Sequence, residues 1–248
     1  MNIKNAVVVI TGSSSGIGRA TALKFARLGA RLIINSKSNV EGGRKVVSQI
    51  NELGGTAIYV RADVSDPLQV KSLFEQTRKE FGSIDVLINN AGSNSGAGSL
   101  LETTKDDWIA AINDNLITAV LCSQEAAKTM IEQGHGKIIN TASIRGMNHT
   151  GRPGLIAYSA AKAALINFTS TLSKELAPSI TVNAVVPGFV NSPVYDKMPL
   201  TQKQEFIDGT LIHRFIKPEE VADAYLYLAS SDVITGQILV IDGGFTLK

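Results

Sequence analysis

AVVVITGSSSGIGRATALKFARLG, residues 6–29, opens with a β-branched run, turns on three glycines and passes straight into a segment of helical period. Gly12 permits the tight turn, Gly16 lets backbone approach a pyrophosphate, and Gly18 permits close packing of helix on strand. The helix that follows would present unpaired N–H groups and a positive dipole end to phosphates. A glycine-rich turn carries weight only in this setting, after a first strand and at the opening of a first helix. The stretch therefore predicts a strand–turn–helix unit that binds a dinucleotide.

The same alternation continues outward. RLIIN (31–35) precedes EGGRKVVSQINELG (41–54), AIYV (57–60) precedes the segment after Pro67, and IDVLIN (84–89) precedes the long apolar stretch 105–131. KIIN (137–140), the helix around Tyr158, ITVNAVV (180–186), two further helical segments and ILVI (238–241) complete the series. Short β-branched runs alternating with helices imply parallel strands joined by crossover helices, a doubly wound α/β sheet. No linker, internal repeat or low-complexity stretch divides the chain, so residues 1–248 are expected to form a single domain. The segment 189–211, with Pro193 and Pro199, has weak periodicity and follows a strand. It is placed to cover a ligand site at the carboxyl ends of the strands.

Composition excludes several classes. The chain is 44% hydrophobic and 19% charged, with net charge +2 and its basic residues dispersed. That argues for a packed core and gives no footprint for nucleic acid or an anionic membrane. The single cysteine, Cys122, reads as a core residue, and His135, His149 and His213 have no metal-ligand spacing. The N-terminal apolar run is too short for a signal peptide or a membrane span, so a reduced cytoplasmic setting is expected.

YSAAK, Tyr158 to Lys162, places a phenol and an ammonium at i and i+4 on one helix face. An ammonium out of water needs partners, so packing alone explains the pair poorly. Proton exchange with an alkoxide explains it better, because a nearby ammonium is expected to lower a phenol pKa and could also donate to ribose hydroxyls. Ser143, just after KIIN, falls at the same sheet edge, where its hydroxyl can hold a substrate oxygen. Asn115 is an unusual polar residue within an apolar helical stretch.

Together TGSSSGIG, ADV (62–64), NNAG (89–92), Asn115, Ser143, YSAAK, PG (187–188) and DGG (242–244) resemble the short-chain dehydrogenase/reductase family over almost the whole chain. The resemblance implies a Rossmann-type sheet of about seven strands and a catalytic set of Asn115, Ser143, Tyr158 and Lys162. It implies that Asn115 marks a local helix break and holds a water in a proton relay from Lys162. It implies cofactor contacts from Gly12, Ser14, Ser15, Gly16, Ile17 and Gly18 in the turn, and from Asp63 and Val64, with Asp63 on the adenine amino group. Asn89, Ala91 and Gly92, then Tyr158 and Lys162, then Pro187, Gly188, Val190 and Ser192 complete the implied contacts, Ser192 on the nicotinamide carboxamide. Members are usually homotetramers, and many are 3-oxoacyl-acyl-carrier-protein reductases that dock an acidic carrier on basic residues.

At the end of the second strand stand Asn35, Ser36 and Lys37, where an acid would repel a 2'-phosphate. A hydroxyl followed by an ammonium favours NADP(H) over NAD(H), and in the family a basic residue matching Lys37 marks NADP(H) users. The stretch between Ser143 and Tyr158 is about two residues longer than the family form, and its Arg145, His149 and Arg152 face either a polar or anionic substrate or solvent. The turns LAPSITVN and LASSDVITGQ are shorter than usual and expected to lie away from the chemistry. For carrier docking the nearest candidates are Lys128, Lys137 and Lys174. The expected function is an NADPH-dependent carbonyl reductase resembling 3-oxoacyl-acyl-carrier-protein reductases. The rivals are a sugar, polyol or secondary-alcohol dehydrogenase and, in another class, a catalytically idle NADP-binding regulator.

Overall fold

In the computed structural model, which describes residues 1–192, 195 and 198–248, seven parallel strands form one sheet in the order β3-β2-β1-β4-β5-β6-β7. These are β1 (Val7–Ile10), β2 (Arg31–Ser36), β3 (Thr56–Arg61), β4 (Val86–Asn89), β5 (Gly136–Thr141), β6 (Ile180–Pro187) and β7 (Ile238–Ile241). The four residues of β1 are all buried, as a central strand covered on both faces must be. Register runs Val8 beside Leu32 on one side and Val8 beside Val86 on the other. The winding reverses between β1 and β4, which leaves a crevice at their carboxyl ends.

The helices are α1 (Gly16–Arg27), α2 (Val40–Glu52), α3 (Pro67–Phe81), α4 (Lys105–Ile112), α5 (Thr118–Gln133), α6 (Ile156–Glu175), α7 (Leu200–Asp208) and α8 (Pro218–Ser230). Their limits follow local chemistry. Asp66 caps α3 by accepting from Leu68 and Gln69 N–H ahead of Pro67, and Gly82 ends it in a left-handed turn at φ 79°. Thr104 and Asp107 close a reciprocal capping box on α4. One core layer packs α1 and α8 on β1, β2 and β4 through Phe25, Val8, Ile10, Ile34 and Tyr225. The other packs α3 and α5 on the opposite face through Phe74, Leu87, Cys122, Met130 and Ile138.

The local helix break that the resemblance implies at Asn115 is present within the long helical stretch 105–131. Residues Asn113–Ile117 form a π turn in which Thr118 N–H donates to Asn113 O, so α4 and α5 meet through a wider turn around buried Asn115. The two shortened turns precede β6 and β7, at the strand ends opposite the crevice. Pro193 of the expected covering segment lies outside the described residues. Within that segment α7 forms, and Phe206 on it stacks on Phe189 with ring centroids 4.3 Å apart.

Candidate active site

The turn after β1 is held from both sides by asparagines. Asn35, at the end of β2, donates from Nδ2 to Val60 O and Ala62 O and accepts the Gly12 N–H at 3.4 Å. Asn90 donates from Nδ2 to Thr11 O at 2.9 Å and Gly12 O at 3.1 Å, while Thr11 Oγ1 accepts from Asn90 N and Ala91 N. A Cβ on Gly18 would fall 2.6 Å from Asn90 Nδ2, so Gly18 is fixed by this packing and does not itself line the cleft. Sequence reasoning missed Thr11 and Asn90 and gave Asn35 no structural role. Their signal is polar side chains at the ends of otherwise apolar strands, where the strands stop pairing and the turn needs partners.

Gly16 adopts φ +53°, and a Cβ there would meet no atom within 4 Å, so the backbone faces open space above the turn. Ser15 stands at the N-cap of α1 without a side-chain cap bond, and the first turn of α1 carries no acid. These are the conditions for an anion at a helix N-terminus. From here a cleft of about 600 Å³ runs along the carboxyl ends of the strands. One end is lined by Ser36, Lys37, Asp63 and Val64, the middle by Gly12, Ser14, Ser15, Gly16, Ile17, Ala91 and Gly92, and the other end by Asn115, Ser143, Tyr158, Lys162, Pro187, Gly188, Val190 and Ser192. An elongated groove with an anion seat at its centre and polar groups at both ends fits a dinucleotide.

Besides Gly18, implied as a cofactor contact, further sequence expectations are corrected by the geometry. Asn89, expected on the cleft wall, is instead buried beneath it, with Nδ2 donating to Asn140 Oδ1 at 2.9 Å and Ser123 Oγ at 3.1 Å. As the last residue of β4 it points into the layer between sheet and α5, and the chain turns toward the cleft only after it. Ser36 borders the cleft, but its hydroxyl is taken by Asn39 O at 3.0 Å and Tyr59 OH at 2.9 Å. Lys137, expected as a carrier-docking residue, is buried and donates to Asp232 Oδ1 at 2.7 Å and Ser231 O at 2.6 Å. Lys37 is exposed and pairs with Asp63 at 2.7 Å. That bond holds the Lys37 ammonium above the ordinary lysine range; burial pushes the Asp63 carboxyl up, but its bonds to Lys37 and Ser65 outweigh this and hold it low.

At the far end, Lys162 is buried, lies 5.8 Å from the Tyr158 ring centroid and donates to Thr141 O at 2.8 Å. Burial brings its pKa down to about 8. The expected lowering of the Tyr158 phenol by this ammonium does not emerge. Burial pushes the phenol up, opposed by the Ser143 hydroxyl and the Arg145 charge. Asn115 donates to Ser93 O at 2.9 Å and Ala111 O at 3.0 Å, and its Oδ1 accepts from Ser93 N at 3.3 Å. A Cβ on Gly92 would lie 2.9 Å from that Oδ1 and 3.4 Å from Lys162 Nζ, so the absent side chain keeps the two groups facing one space. The structure thus brings Asn115, Ser143, Tyr158 and Lys162 to one end of one cleft.

A doubly wound sheet with this cleft at its switch point has the architecture of a dinucleotide-binding fold. The family model described as "Enoyl-(Acyl carrier protein) reductase" matches residues 12–246. The chain is 40% identical over 245 residues to a 3-oxoacyl-[acyl-carrier-protein] reductase of Synechocystis sp., covering 97% of both chains. It is 40% identical over 252 residues to the 3-oxoacyl-[acyl-carrier-protein] reductase FabG of Thermotoga maritima, covering 100% of both. Among solved structures it is similar to a 7α-hydroxysteroid dehydrogenase complexed with NADH and 7-oxo glycochenodeoxycholic acid, with TM-score 0.92 and 27% identity, covering 98% of this chain and 96% of the other. The chain belongs to the short-chain dehydrogenase/reductase family and is an oxidoreductase acting on CH–OH/C=O groups.

Proposed function

We propose that the protein is an NADP(H)-dependent reductase of 3-oxoacyl thioesters. The observation that carries this reading is the meeting of Ser143, Tyr158 and Lys162 in one cleft, in a chain 40% identical along almost its full length to 3-oxoacyl-[acyl-carrier-protein] reductases. The nicotinamide, when bound, supplies the hydride. The chain's own residues do the rest. The turn from Gly12 to Ile17 and the open end of α1 hold the phosphates, and Lys162 holds the ribose end. Ser143 donates to the substrate carbonyl oxygen, and Tyr158 passes its phenolic proton to that oxygen as charge develops there. A phenol pushed up by burial is protonated at neutral pH, as a proton donor must be. The Ser143 hydroxyl and the Arg145 charge are the groups that favour the phenolate left behind.

The NADP(H) preference rests on Lys37, which is exposed at the cleft end and free to exchange its surface pair with Asp63 for a phosphate. Ser36 offers no spare hydroxyl there, so the ammonium carries the preference. A second reading, a secondary-alcohol dehydrogenase, is favoured by the likeness to a hydroxysteroid dehydrogenase holding NADH. Oxidation of NADPH with a 3-oxoacyl thioester, beside a simple ketone, an aldehyde and a sugar-derived ketone and with NADH as control, separates the two. Fast turnover of the thioester supports the reductase; turnover confined to the other carbonyls moves the function to alcohol or polyol chemistry.

A further inference from the structure

The reaction leaves one phenol of the cleft without a role. Tyr195, three residues beyond Ser192, lines the same cleft as Ser143, Tyr158, Gly188 and Val190. Its backbone ties it to the reacting end: Tyr195 N–H donates to Ser192 O at 3.0 Å, and Met198 N–H donates to Tyr195 O at 3.1 Å. Its ring is backed by two others, with centroids 5.0 Å away at Phe215 and 6.1 Å away at Phe206, the second edge-to-face at 79°. Phe206 stacks in turn on Phe189, whose carbonyl accepts the Ile216 N–H at 2.9 Å next to Phe215. Segments distant in sequence thus fix this ring at the cleft wall.

That support is wholly apolar and gives the hydroxyl no partner. Of the five tyrosines, Tyr59 bonds to Ser36 Oγ at 2.9 Å, Tyr225 bonds to Thr141 Oγ1 at 2.8 Å, and Tyr227 is exposed. Tyr158 and Tyr195 are the two that line the cleft. Among the described residues the Tyr195 hydroxyl makes no hydrogen bond. Burial pushes this phenol above its ordinary value, so at neutral pH it is a hydrogen-bond donor. A partly buried phenol normally finds an acceptor, and here the protein supplies none. The neighbouring polar groups are otherwise engaged. Ser93 Oγ donates to Asp114 Oδ2 at 2.6 Å, Asn94 is exposed to water, and Ser143 and Tyr158 act on the carbonyl being reduced. A second acceptor on the substrate therefore meets Tyr195. A 3-oxoacyl thioester carries one, because its thioester carbonyl stands one methylene away from the ketone.

We propose that Tyr195 donates its phenolic hydrogen bond to this second carbonyl oxygen and so selects 1,3-dicarbonyl substrates over simple ketones. The thioester half of this assignment rests on the function proposed above; the contact with a second carbonyl does not. The test pairs S-(3-oxobutanoyl)-N-acetylcysteamine with 4-(2-acetamidoethylthio)butan-2-one, in which a methylene replaces the thioester carbonyl, and 2,4-pentanedione with 2-pentanone. Tyr195→Phe keeps the ring on its aromatic backing and removes only the donor. Relative to wild type it should lower the dicarbonyl-to-ketone ratio of kcat/KM ~10-fold in each pair, the scale of one hydrogen bond to a desolvated acceptor. Equal losses within both pairs, with the thioester still the fast substrate of the wild type, overturn the contact and leave the thioester reading standing. A fall in the diketone ratio, with the thioester not reduced by the wild type, does the reverse. A readout without turnover uses the oxidised cofactor, which has no hydride to give. Calorimetry with that complex should show thioester affinity falling by a similar factor in Tyr195→Phe; unchanged affinity overturns the contact.

Discussion

Tyr158 and Lys162 divide one task because their environments push them in opposite directions: burial raises the phenol and lowers the ammonium to about 8. Tyr158→Phe removes only the transferable proton, so turnover should fall at least ~100-fold while NADPH binding, followed by fluorescence, persists. Lys162 sets a pH limit with a definite sign. As pH rises through about 8 the folded protein loses this charge, so kcat/KM for reduction should decline there. Stability moves the other way. The folded pKa lies below the ordinary lysine value, so the unfolded chain binds the extra proton between about 8 and 10.5, and stability rises with pH across that window. Urea unfolding of wild type and Lys162→Met at pH 7 and pH 10 should show the difference shifting in favour of the wild type at the higher pH.

At the scale of the elements, the β2–α2 junction and the π turn carry the predictions. Lys37→Ala should lower kcat/KM with NADPH about tenfold, the size of one charge-assisted contact, and leave that with NADH near its starting value. An unchanged ratio of the two would separate Lys37 from the cofactor. Asn115 ties the π turn to the Ser93 loop through two hydrogen bonds and to Ala111 O of α4 through a third. Asn115→Leu leaves buried backbone groups unpaired and should cost ~2 kcal/mol in chemical denaturation as well as most of the turnover. The glycine turn, the YSAAK helix and the strand–helix alternation were legible because each is local and periodic. Asn89 was misplaced because the NNAG motif crosses from strand into turn, and only the backbone decides which asparagine faces which layer. The π turn left no periodic trace, since one wider turn shifts the apolar pattern without interrupting it. The aromatic backing of Tyr195 was not legible, because Phe189, Phe206 and Phe215 come from three separate segments.

The molecule as a whole separates chemistry from its mechanical support. The cleft occupies the carboxyl ends of the strands, while at the opposite ends buried Lys137 on β5 is tied to Asp232 in the loop between α8 and β7. Bonds from Lys137 and the N-terminal amine hold the Asp232 carboxyl at about 2. Its contribution is present above the ordinary carboxylate value and is lost as pH falls toward that figure. Asp232→Ala should lower stability by ~1 kcal/mol, discounted for the exposed carboxylate, with turnover at room temperature unchanged. No helix among the described residues is long and apolar enough to cross a membrane.

The π turn at Asn113–Ile117 also acts as a phase shifter. It adds a residue to one turn and so offsets the apolar pattern of α5 by one position from that of α4, while α4 packs on α6 and α5 on the sheet and α3. Excising one residue there would close the wide turn to an ordinary α-helical one and leave Cys122, Ala126 and Met130 facing the core, while removing the widened turn in which buried Asn115 sits. The extra residue is thus spent on the site rather than on the core.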